Sequence, residues 1–77
     1  MEDEERTEDI EDIRNDIWLK ENYVGLVDEY PNQWIAVIDQ EVVATGSTRR
    51  QVESEAKNIA KGRVYSLYFI EPSALPP

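Results

Sequence analysis

Seventy-seven residues make one domain at most, and a chain of this size buries only about 60% of the surface its unfolded form exposes, so its core is marginal. With no cysteine and no histidine it has no disulfide, no thiolate and no imidazole ligand, which argues against a zinc site or metal cofactor and leaves oligomerisation or a partner as outside support. Its 17 acidic and 8 basic residues give a net charge of -9, with no basic stripe to neutralise phosphates, which argues against direct nucleic-acid binding.

The acidity is local. Residues 1–16 hold nine acids against Arg6 and Arg14, net -7, whereas the other 61 residues hold eight acids against six bases, net -2. The N-terminus is acidic where a secretory signal is basic and then apolar. No apolar run approaches the ~20 residues that cross a bilayer, so a cytoplasmic protein without a membrane partner is expected.

Residues 1–9 are too polar to bury anything and read as a disordered acidic segment, followed by one domain over 10–71 and a flexible tail over 72–77. Ile10, Ile13 and Ile17 recur at spacings of three and four among acids, an apolar stripe on a charged helix. Leu19, Tyr23, Leu26, Val27 and Tyr30 continue at the spacing of one helical face, which Tyr30-Pro31 ends. Trp34–Ile38 is a short β-branched and aromatic run, expected as a strand. Asp39-Gln40 is the turn and Glu41–Thr45 the return strand of an antiparallel hairpin.

After Gly46, Thr48 and Gln51 have capping-box spacing and start a second helix. Val52, Ala56, Ile59 and Ala60 are its buried stripe, Glu53 and Lys57 its i, i+4 pair, and Gly62 its left-handed cap. Val64–Ile70 is the third strand and Glu71-Pro72 its stop. The reading is an α+β fold, α-β-β-α-β, with two helices and a three-stranded, mostly antiparallel sheet in order 2-1-3. This order puts the most apolar strand in the centre.

Trp18-Leu19, Glu21-Asn22-Tyr23, Leu26, Tyr30-Pro31, Trp34-Ile35-Ala36-Val37, Val42-Val43-Ala44 and Gly46 together resemble a family of small, uncharacterised prokaryotic domains of unknown function. The likeness spans roughly residues 17–71 and departs from the family pattern at Gln40, where the turn usually has glycine. It implies the fold and carries no activity, cofactor or catalytic residue with it.

Nor do the residues assemble catalytic equipment, so no enzyme is expected. Without His or Cys, a nucleophile is limited to Ser47, Thr48 or Ser66, and the first two stand where a helix cap is wanted. Ser47, Thr48, Arg49 and Arg50 at the start of the second helix are the candidate site for an anion or small ligand.

With a two-residue turn, Ile35 and Val37 share a sheet face with Val42 and Ala44. Trp34, Ala36 and Ile38 share the other with Val43 and Thr45. The second face carries Trp34, Ala36 and Val43, with Tyr68 from strand three, more apolar surface than a sheet leaves in water. Either the N-terminal helix covers it or a partner does: a second copy, or a basic protein that the acidic segment neutralises in the manner of an antitoxin. The expected function is thus a protein interaction module, with anion binding as the alternative.

Overall fold

The chain from Trp34 to Ile38 is apolar at every position, a composition suited only to a strand buried on both faces. A computed structural model describes residues 2–72, with side chains from residue 10 onward, and places that run at its centre. The elements are α1 (Glu2–Glu21), α2 (Tyr23–Glu29), β1 (Gln33–Val37), β2 (Val42–Gly46), α3 (Arg49–Ala60) and β3 (Ser66–Ile70). The sheet runs β2-β1-β3 with β1 antiparallel to both neighbours, as the sequence implies. Ile35, Ala36, Val37 and Ile38 are all buried. The tail expected over 72–77 lies, from residue 73 on, outside the described residues.

Three helices stand where two are expected, because the N-terminal helix is interrupted at Asn22. Its backbone N–H is shared between the carbonyls of Trp18 and Leu19, at 3.0 and 3.2 Å, and its side-chain amide donates to Trp18 O at 2.8 Å. Asparagine competes in this way with the regular helical ladder, and the interruption lets α2 start on its own axis. Tyr23 then fixes α2 to the end of β3: its hydroxyl donates to Glu71 O and accepts from Glu71 N.

The hairpin turns at Asp39-Gln40, as expected, closed by Ile38 N–H to Glu41 O at 3.0 Å and Glu41 N–H to Ile38 O at 3.1 Å. Both turn residues have positive φ, 51° and 58°, as the mirror-image hairpin turns require. Arg63, from the loop before β3, pairs with Asp39 at 3.0 Å. Both side chains are more than half exposed, so the pair is worth under about 1 kcal/mol.

The register corrects the expected division of the faces. Ile35 opposes Thr45, Ala36 opposes Ala44 and Val37 opposes Val42, so a bulge between Ala36 and Val37 absorbs one residue of β2. A bulge breaks the two-residue alternation, which moves Ala44 to the face of Ala36 and Thr45 to the face of Ile35. Against one face pack Leu19 and Leu26 from α1 and α2, with Ile35, Val37 and Ile70. Against the other pack Val52 and Ala56 of α3, with Ala36 and Ala44, whose small side chains bring the helix close.

Thr48 caps α3 by accepting from Gln51 N–H at 3.2 Å. Gln51 does not complete the expected box; its Oε1 lies instead where a side chain on Gly46 would go, 3.2 Å from an added Cβ, with Val52 Cγ2 at 3.0 Å. A side chain at 46 would therefore oblige Val52 and Gln51 to give way by a few tenths of an ångström, which glycine avoids. At the other end the left-handed cap falls on Lys61 (φ 50°), with Gly62 next at 89°, so the turn begins one residue earlier than the glycine suggests.

Glycine would adopt the Gln40 backbone conformation without strain, and the structure supplies a compensation for its absence. A left-handed conformation strains a non-glycine residue, yet the Gln40 side chain donates at 2.9 Å to the buried Asn15. Gln40→Gly removes the strain and the bond together. We expect a stability within about 1 kcal/mol of wild type in urea melts, whereas Gln40→Ala, which removes only the bond, falls by about 1 kcal/mol.

Candidate functional site

The four residues expected to form an exposed sheet face do not form one surface. Ala36 is fully buried, and Trp34 and Val43 pack around the cluster beneath α3. Tyr68 packs with the opposite cluster, beneath α1 and α2. Helices cover both faces because α1 and α2 take one side and α3 the other. Among the described residues of the second face, Phe69 is the exposed large apolar one, 41% exposed and tilted against the partly buried Trp34 with ring centroids 5.6 Å apart.

Ser47, Thr48, Arg49 and Arg50 are exposed and adjacent, as their sequence dictates, but two of them have other work. The Thr48 oxygen is engaged by the Gln51 amide, and the Arg49 guanidinium lies 6.0 Å from the centre of the Trp34 ring, within cation–π range. Arg50 alone gives a candidate anion a single solvated charge.

A feature that sequence reasoning missed sits under α1. Asn15, 1% exposed, donates from Nδ2 to Val37 O at 3.3 Å and to Ser66 Oγ at 3.0 Å. Its Oδ1 accepts from Gln40 N–H at 3.0 Å and from the Gln40 side chain at 2.9 Å. The Ser66 hydroxyl in turn donates a hydrogen bond to Asp12 on the same helix as Asn15. One buried amide thus joins α1, the hairpin turn and β3, and no buried polar side-chain atom among the described residues lacks a partner. Asn15 lies four residues before Leu19, on the same helical face, and a polar residue at an apolar position was the signal.

Ser66 is 5% exposed and bonded on both sides, a structural hydroxyl with no access to a substrate. Tyr65 donates to Glu53 at 3.0 Å; desolvation, then that carboxylate, holds its phenol above the ordinary value of 10.0. Desolvation, with Asp12 and Asp16 nearby, raises Tyr68 as well. Both are favoured in the neutral form, so their contribution is intact below pH 10 and is lost as pH rises through the raised folded values. Urea midpoints taken from about pH 9 to about 11 should fall more steeply for wild type than for Y65F/Y68F.

While Asn15 and Leu19 face the sheet, Ile10, Ile13 and Ile17 face water, 47%, 55% and 51% exposed. Val24, seven residues after Ile17, is 73% exposed and borders an open depression lined also by Val27 and Pro31. The isoleucine stripe of the sequence is an outer ridge, not the buried seam.

The model of a family described as a family of unknown function, DUF5678, matches residues 25–73, a stretch that holds most of α2, the whole sheet and α3. The Trp18–Tyr23 part of the likeness, and α1, precede it. No curated protein and no solved structure matches the chain. With more than half of its length matched, including the Tyr30-Pro31 step, the Trp34–Val37 strand and the glycine-ended second strand, the chain belongs to the DUF5678 family of unknown function.

Proposed function

We propose that this domain is a non-enzymatic protein-binding module whose contact surface is the outer ridge of α1. The observation that carries the reading is the half-exposure of Ile10, Ile13 and Ile17 along one side of a helix whose other side is already docked. Isolated apolar residues are common on surfaces, but three at i, i+3 and i+7 of one helix make a single stripe, and exposed apolar patches on the order of a few hundred Å² mark interaction sites. The interface moves from the sheet face, where the sequence suggested it, to the helix that covers the sheet. Hydroxyls engaged in capping and in the Asn15 network support a role without chemistry.

Photocrosslinking in cells tests this. Benzoylphenylalanine replacing Ile13 should give a discrete adduct with a second polypeptide, and the same probe replacing the exposed Lys57 on α3 should not. Equal labelling from both positions, or none from either, sinks the reading.

A further inference from the structure

We propose that the occupant of this ridge is a basic amphipathic helix of a different protein, a proposal that rests on the interaction reading above. Charge is the first argument. By sequence α1 carries ten acids against Arg6, Arg14 and Lys20, net -7, and Lys20 is already paired with Asp16 at 3.1 Å. Two copies packed along α1 would bring two such helices to interaxial distances of about 8–10 Å, within one Debye length at physiological salt. A basic helix meets the same field as attraction. Shape is the second argument, because three isoleucines at i, i+3 and i+7 present one helical stripe, which the single apolar face of an amphipathic helix matches. An apolar stripe supplemented by charge suits one docked helix, whose leucine-like positions at i, i+3 and i+7 match Ile10, Ile13 and Ile17 while its flanking lysines meet the acids.

The full chain is titrated with two labelled peptides of one design, an amphipathic Leu/Lys helix and its Leu/Glu counterpart, and its mass is followed by light scattering. The chain should stay monomeric and bind the Leu/Lys peptide alone. Affinity should fall about tenfold or more between about 50 and 500 mM salt, and by about tenfold in I10Q/I13Q/I17Q, which keeps every charge. Loss in that variant separates ridge binding from general attraction to an acidic protein, and its circular dichroism melt shows that it folds. If both peptides bind equally and both are lost in the variant, or if a dimer forms that the variant abolishes, the basic-partner proposal is overturned while the ridge stands as an interface. If Leu/Lys binding survives the variant unchanged, or if there is neither binding nor dimer, both fall.

Discussion

Asn15→Ala is expected to lose about 3 kcal/mol of stability and to lower Tm by about 12 °C or more in a domain of this size. The change takes a donor from Ser66, which keeps Asp12, and the acceptor from both partly buried Gln40 donors, and each buried group left without a partner costs about 1–3 kcal/mol. Urea melts measure it directly. A companion change, Asn15→Asp, keeps an acceptor for Gln40 but sets a carboxylate against the Val37 carbonyl and near Asp12. It too should be destabilised at neutral pH, with part of the loss recovered in acid as the carboxyl takes up a proton and donates. An Asn15→Ala midpoint within about 1 kcal/mol of wild type would mean that water reaches these groups and that the amide is dispensable.

A chain beginning at Asn22, which retains all of the family-matched stretch, is expected to lose cooperative unfolding altogether. Without α1 the cluster of Ile35, Val37 and Ile70 loses Trp18 and Leu19, and the Asn15 network disappears with it. Each such side chain returned to water costs about 1.5–3 kcal/mol, and the whole chain has only about 4–11 kcal/mol to lose at its length. Far-ultraviolet circular dichroism and one-dimensional proton spectra decide the matter. A sharp melt with dispersed amide resonances from residues 22–77 would show that α1 is an appendage to a self-sufficient αββαβ unit.

Much of this fold is legible in the residues, because its strongest signals are local. The 0, 4, 7, 8, 11 spacing from Leu19 to Tyr30, the Thr48 cap, the Val52, Ala56 and Ala60 stripe and the apolar β1 each follow from short-range periodicity, although Ile59, expected in that stripe, is 45% exposed; the order β2-β1-β3 follows from burying the most apolar strand. What stayed hidden depends on pairing between distant segments. Nothing in Ala36-Val37 announces a bulge, so the assignment of Ala44 and Thr45 to faces inverted. The break at Asn22 depends on a side chain bonding back to Trp18, a choice that propensity alone does not make. The docking of α1 was hidden for a related reason. The isoleucines on α1 announce an apolar stripe, while the docked side is led by an asparagine whose partners, Gln40 and Ser66, lie far along the chain. A candidate interface on the sheet followed from leaving that helix unplaced.

The polar junction under α1 also sets the order in which the structure can assemble. Its bonds join residues separated by 22, 25, 51 and 54 positions, whereas the hairpin turn and the α3 cap each close over three. The Gln40 amide is presented to Asn15 only after the turn has adopted its left-handed backbone, and Ser66 arrives only with β3. The junction is therefore a late latch rather than a nucleus. It leaves the rate of reaching the native state nearly untouched and governs how long that state persists once formed.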